Sequence, residues 1–450
     1  MGKSTILDGN SFDLRDANGV SEAELALIGQ RMRVLGPSYR LFYDRPVHVV
    51  RGEGTKIYDA DGVEYLDAYN NVASVGHCNR RVVQAVTAQL RTLNTHSRYL
   101  QDGVVGYSGQ LVATLPPEIS QVMFTNSGSE SNDLALRVAA SATGGTGIVV
   151  TSEAYHGTTA LCADVSPAMG TNHRLGDTVV KVAAPDSYRL GGGAALGAWF
   201  ARRVTDAFGR LDSRGIRPAA LLVDTIFASD GVLSDPAILG PAVDAAHRAG
   251  AIFIADEVQP GFARTGAAFW GFARHGTVPD LVTMGKPMGN GIPVAAMAAR
   301  PEVLAAFGTD VPYFNTFGGS SVSIAAAQAV LDEIQERDLH LNSERLGESI
   351  RADMRELMTR HEAIGDIRGA GLFIGVELVA DRETKTPDSA LAHRVINSMR
   401  ELGVLVSVAG PANSVLKIRP MLTYSQADAD RLVETLDRAL VLSTQSAAVG

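Results

Sequence analysis

Between about residue 75 and residue 320, short runs of β-branched and apolar residues alternate with alanine-rich amphipathic stretches. No other feature constrains the fold as much. "GIVVTSEA", "AALLVDTIF", "AIFIADEV" and "LVTMGK" each read as a strand. Buried strands separated by helices imply a mostly parallel sheet covered on both faces. Ahead of this region, "SEAELALIGQRMRVLG" is expected to be a helix opened by Ser21, with Glu24 in capping-box spacing. "HVVRGEGTKIYDADGVEYLDAY" is expected to be a small meander or hairpin. Beyond it come a long helical segment, "RGAGLFIGVELV", the helix "PDSALAHRVINSMRELG", "VLVSV", "SVLKIRPML" and a closing helix. These read as a second, smaller α/β domain. "RLGGGAALGAW" is expected to be a glycine-rich loop at most. The 450 residues therefore divide into an N-terminal segment (1–74), a large domain (75–324) and a C-terminal small domain (325–450).

Ligands of open α/β sheets bind at the carboxyl ends of strands. Asp256 directly follows the apolar run Ile252–Ala255, so it is placed either to face such a ligand or to cap a turn. Lys286 ends a second apolar run thirty residues later, and it is the one charged residue in "VTMGKPMGNGIPV". An amine among apolar strand and tight turns suits a group that must lose its proton to become a nucleophile. "FTNSGSESNDLALRVAA" is a strand-to-helix junction through Asn126, Ser127, Gly128 and Ser129. It can bind an anion such as a coenzyme phosphate at the helix N-terminus, or simply carry an N-cap at Ser127 or Ser129. Past the strand "GIVVTS", Tyr155 can stack on a planar ring or pack at the sheet rim. His156 can be a base or a hydrogen-bonded structural histidine. "MGKST" and "GKPMGNG" resemble phosphate-binding loops, but the first lacks the upstream glycine and strand, and the second has Pro287 where Ser or Thr is required.

The net charge of −9 argues against sequence-independent nucleic-acid binding, so an anionic substrate needs a local basic cluster. Cys78 and Cys162 cannot form a disulfide framework and have no metal-ligand spacing, so free thiols and no metal are expected. No apolar run reaches the ~18 residues of a membrane span. The N-terminus lacks a signal-peptide core, and Ile6 breaks the myristoylation pattern. A cytoplasmic protein with no membrane association is expected.

Seven blocks, in family order and spacing, resemble the class III (subgroup II) aminotransferases, pyridoxal-phosphate (PLP) enzymes of fold type I. They are "YLDAYNNVASVGHC", "FTNSGSESNDLALR", "AYHG", "IFIADEVQPGFARTG", "PDLVTMGKPMGNGIPVA", "YFNTFGG" and "IRGAGLFIGVEL". The resemblance implies a large PLP-binding domain and a smaller domain formed by both termini. It implies that Lys286 condenses with the coenzyme aldehyde and then moves the substrate Cα proton. Asp256 would pair with the pyridine nitrogen, Val258 and Tyr155 would cover the two ring faces, and Gln259 would reach the phenolic oxygen. Gly128 and Ser129 would hold the phosphate, with Ser127 and His156 completing the set. Thr316 would reach the coenzyme phosphate of a neighbouring subunit, which implies a homodimer with shared sites.

Two departures narrow the reaction. Where many members carry an arginine for the substrate α-carboxylate, "VLKIRPML" has Lys417, with Arg419 two residues on. Lysine lacks the planar fork of arginine. In "VDTIFASDGV", Asp224 and Phe227 stand where others have glutamate and glutamine. With "GPSYRLFY", "NTHSRYL" and "DEVQPGFARTGAAFWGF", this pattern resembles the phospho-lyase branch, which acts on an amine one carbon from a phosphate ester. Candidates for the substrate phosphate are Arg40, with Ser38 and Tyr39, and Lys417. The implied reaction is Cα deprotonation followed by loss of phosphate, giving acetaldehyde from phosphoethanolamine. The alternative is an ω-aminotransferase passing an amino group to a keto acid. Asn79 and Arg80 replace the family's His and Pro, either as helix-start residues or as a functional change.

Overall fold

The computed structural model describes residues 5–17, 19–266 and 268–448, so most of "MGKST" lies outside the described residues. The N-terminal meander forms as expected, with β1 (Val49–Glu53), β2 (Lys56–Asp59) and β3 (Glu64–Asp67) pairing antiparallel in sequence. The Ser21 hydroxyl accepts from the Glu24 amide, and the Glu24 carboxylate accepts from the Ser21 amide. This reciprocal box starts the helix Glu22–Leu35.

The central sheet has β4 (Gln121–Thr125), β5 (Gly147–Thr151), β6 (Val179–Val182), β7 (Pro218–Asp224), β8 (Ile252–Asp256), β9 (Leu281–Met284) and β10 (Ala295–Ala299). Their order across the sheet is β4-β10-β9-β8-β7-β5-β6. Only β10 runs antiparallel to its neighbours. The middle strands are covered on both faces: Ala220, Leu221, Leu222, Phe253 and Ile254 are fully buried. A strand shielded on both sides has no polar face to alternate with, which is why these runs are continuously apolar.

The third sheet contains β11 (Ile364–Ala370), β12 (Phe373–Asp381) and the two-residue β13 (Thr386–Pro387). "VLVSV" is not one strand. β14 (Val404–Leu405) pairs in parallel with β3, and after Val406, β15 (Ser407–Ala409) pairs with β16 (Val415–Ile418) in the other sheet. One residue of chain therefore ties the N-terminal meander to the C-terminal sheet. "RLGGGAALGAW" is also corrected: the loop is only Gly191–Gly193, and the helix Ala194–Asp212 begins at the first alanine. Alanine favours helix strongly enough to start it as soon as the glycines end.

Candidate active site

The site is built at the carboxyl ends of the central strands. Asp224 ends β7, Asp256 ends β8 and sits opposite it, and Lys286 follows β9 after Gly285. These groups line a cavity of about 340 Å³ together with Gly128, Ser129, Tyr155 and His156.

Asp256 is held by three donors. Its Oδ2 accepts from Asn132 Nδ2 (2.9 Å) and His156 Nδ1 (2.7 Å), and its Oδ1 accepts from the Val258 amide (3.1 Å). Asn132 is fixed in turn by the Thr283 hydroxyl at 2.6 Å and by the His156 carbonyl at 2.8 Å. A carboxylate with this many donors keeps one orientation. His156 is thus a positioning residue: a carboxylate can only accept, so Nδ1 carries the proton. Its Nε2 is buried without a partner.

Lys286 opens a short 3-10 turn with φ of +31°, a strained value for a residue with a side chain. Its amine is open to the cavity but ringed by protein. Desolvation pulls its pKa below the usual lysine range, helped by the positive charge of Arg419 and opposed by Asp256 and Asp224. That shift raises the neutral, nucleophilic fraction.

The helix Gly128–Thr143 points its N-terminus at the same cavity. Ser127 is its N-cap, accepting from the Glu130 amide, while the Gly128 and Ser129 amides have no acceptor within the helix. A Cβ on Gly128 would lie 3.0 Å from both Val258 methyl carbons. One on Gly157, at φ +141°, would lie 2.4 Å from Ser129 Oγ. The backbone is therefore drawn tight around the helix end, as an anion cradle requires. Asp224 is pushed up to about 6 by burial and then by Asp256. It was legible in sequence only as a replacement, and Asn132 was not singled out at all, although both lie within quoted motifs.

The pocket opens into a larger cavity of about 580 Å³, which shares Val72, Tyr155, Gln259 and Lys286 with it. Lys417 and Arg419 line this space and are buried. Neither forms an ion pair among the described residues. Arg419 donates to Gln259 Oε1 at 2.7 Å, lies 4.4 Å from the Tyr69 ring centroid and leaves its Nε without an acceptor. Burial, then the neighbouring Arg419, lowers the Lys417 pKa far below the lysine range.

Other sequence candidates are distributed differently. Arg40 lines the cavity's outer end but is ion-paired with Asp8 at 3.1 Å. Tyr39 is exposed on an adjacent cleft, and Ser38 is exposed and lines neither space. The structure therefore does not bring Ser38 and Tyr39 to Lys286. Their chain segment turns outward ahead of the bridge that Phe42 makes with Ser11. Thr316 is exposed and lines neither cavity of its own chain. Phe227 is core rather than cavity lining. Asn79 caps the helix Arg80–Thr92 by accepting from the Arg81 and Val82 amides, and Arg80 is an exposed first helical residue.

A model of the family described as Aminotransferase class-III matches residues 42–440. The chain belongs to the class III aminotransferase family. It has the family's PLP fold type I and is PLP-dependent. The helix-end cradle, the donor-held Asp256 and the lowered Lys286 fit that coenzyme's phosphate, ring nitrogen and aldehyde. Similarity extends to a Drosophila melanogaster protein called alanine–glyoxylate aminotransferase 2-like, 39% identical over 90% of this chain and 84% of that one. It also extends to ethanolamine-phosphate phospho-lyase homolog 1 of Caenorhabditis elegans, 36% identical over 92% and 93%. Among solved structures, an Arthrobacter phospholyase in complex with phosphoethanolamine superposes with a TM-score of 0.89. It is 38% identical, over 92% of this chain and 99% of that one.

Proposed function

We propose that this class III enzyme is a phospho-lyase that converts phosphoethanolamine, or a similar phosphorylated amino alcohol, and water into acetaldehyde, ammonia and phosphate. The observation that carries the reading is the pair Lys417 and Arg419: two buried basic side chains that form no ion pair among the described residues, in the cavity that Lys286 also lines. Unpaired buried cations are costly unless an anion joins them, and a phosphate dianion satisfies both. The Arthrobacter and Caenorhabditis relatives support the same substrate class.

PLP, held by Lys286, Asp256 and the helix end at Gly128 and Ser129, would supply an aldehyde for the substrate amine and a ring able to accept the electron pair freed at Cα. The chain's residues supply the rest. Lys286, whose pKa desolvation lowers, takes the Cα proton. Asp256, oriented by Asn132 and His156, would face the pyridine nitrogen. Lys417 and Arg419 hold the phosphate and stabilise its growing charge as the C–O bond breaks. Phosphate leaves readily, so elimination outruns return of the proton. We further propose a cytoplasmic homodimer in which Thr316 serves the site of the neighbouring subunit.

The relative called alanine–glyoxylate aminotransferase 2-like supports a second reading, amino transfer to a keto acid. Incubation of the holoenzyme with phosphoethanolamine, with and without pyruvate or 2-oxoglutarate, separates the two. Free phosphate without an acceptor is expected. Turnover that strictly requires the acceptor and releases no phosphate would replace the lyase by the transaminase.

A further inference from the structure

Residues 5–12 lie across the outer end of the larger cavity. The segment is pinned by the Phe12 amide on the Leu41 carbonyl (2.8 Å), by the Tyr43 amide on the Asn10 carbonyl (3.0 Å) and by a Ser11–Phe42 bridge. Ile6 and Leu7 line the substrate cavity, whereas the next residue, Asp8, lines the adjacent cleft of about 400 Å³. Arg40 lines both spaces and so forms part of the wall between them. Asp8 approaches it from the cleft: Arg40 Nε donates to Asp8 Oδ1 at 3.1 Å, and Nη1 donates to the Pro37 carbonyl at 3.1 Å.

The cavity lining thus carries Arg40 as well as Lys417 and Arg419, and these basic groups are treated differently. Lys417 and Arg419 form no ion pair among the described residues, whereas Arg40 is paired with Asp8 from the adjacent cleft. From this contrast we propose that Asp8 is a specificity-determining residue. By occupying Arg40 from the far side of the wall, it cancels the outer positive charge. It thereby disfavours amines that carry a second anion remote from the reacting nitrogen, such as ω-amino acids. The proposal rests on reading this space as the substrate cavity, but not on phosphate being the leaving group. The cavity lining also includes the apolar Phe42, Val47, Ile57 and Val408 and the uncharged polar Tyr69, Asn70 and Ser229, so Arg40 is the cation of the N-terminal segment that lines it.

The test is calorimetric titration of the holoenzyme, without keto acid, using 4-aminobutyrate and 6-aminohexanoate against n-butylamine and n-hexylamine. Asp8→Asn should tighten binding of at least one ω-amino acid by about two- to fivefold, the scale of a partly exposed ion pair, and leave the alkylamines unchanged. The gain should vanish in Asp8→Asn/Arg40→Gln. No tightening, equal tightening of alkylamines, or a gain that survives in the double variant would each overturn the assignment. If Asp8→Asn does not fold, Asp8→Ser is titrated in its place under the same criteria. Phosphate release is not part of the readout. A chain that releases no phosphate yet shows the charge-selective gain would lose the lyase reading and keep this one.

Discussion

Asp256 and Lys417 are both buried ionisable groups lining one continuous space, yet the first has three hydrogen-bond donors and the second has no acceptor among the described residues. In the pocket around Lys286, Asp256 is fully oriented: Asn132 and His156 donate to it, and Thr283 fixes Asn132. The cavity beyond it is less completely paired: Lys417 and Arg419 form no ion pair among the described residues, and Asp224 is the carboxylate whose charge reaches both. On the proposed reading, a resident coenzyme and a transient anion need this difference. The first benefits from a preorganised frame, and the second from basic groups whose charge favours its arrival.

The largest expected effect tests the coenzyme side. Lys286→Ala should remove the group that takes the Cα proton, with kcat falling by about 10²–10⁴-fold or more. The coenzyme should no longer be trapped on the protein by borohydride, while thermal unfolding stays close to the parent. Peptide mapping that still finds the label elsewhere would break the assignment of this lysine.

The open side responds differently. Lys417→Met keeps the volume and deletes the charge, so phosphoethanolamine KM should rise by about 10- to 100-fold, the scale of hydrogen bonds to a charged group. Coenzyme affinity should not change. Tm should hold or rise, since a buried amine without an ion pair among the described residues has been removed. A marked fall in Tm would mean that Lys417 has a stabilising partner and that the contrast between the two regions is false.

Asp224 lines the coenzyme pocket and faces the charges of both Asp256 and Lys417, so it gives the smallest and most discriminating test. Its folded-state pKa of about 6 lies above the ordinary aspartate value. The folded protein therefore binds that proton more tightly than the unfolded chain. Stability contributed by Asp224 falls as pH rises from about 4 to about 6, then levels. Asp224→Asn removes this slope, so its Tm relative to the parent should be more favourable at pH 8 than at pH 5, by on the order of 2 °C. A difference that does not change with pH would show that Asp224 is ionised throughout.

The coenzyme pocket was largely legible in the sequence because each part is local. A strand end fixes where its next residue goes, so Asp256, Lys286 and the Ser127–Ser129 junction could be placed from short patterns. The meander and the Ser21 box were legible for the same reason. Asn132 was missed because its role depends on which face of a helix meets β8, and a single helical segment does not carry that information. "VLVSV" was misread because its first half pairs with β3 near the other end of the chain, while its second half pairs with the nearby β16. Nothing in five apolar residues shows that the chain changes sheets at Val406.

What the sequence by itself determined is the alternating frame and the chemical types at its strand ends, since periodicity and strand termini are properties of contiguous residues. Tertiary structure alone decided that Arg419 stands beside Lys417 with no ion pair among the described residues, that Arg40 is claimed by Asp8, and that Tyr39 faces another cleft. The physical reason is that charge compensation and desolvation depend on distances between segments from both termini, and only the folded chain fixes those distances.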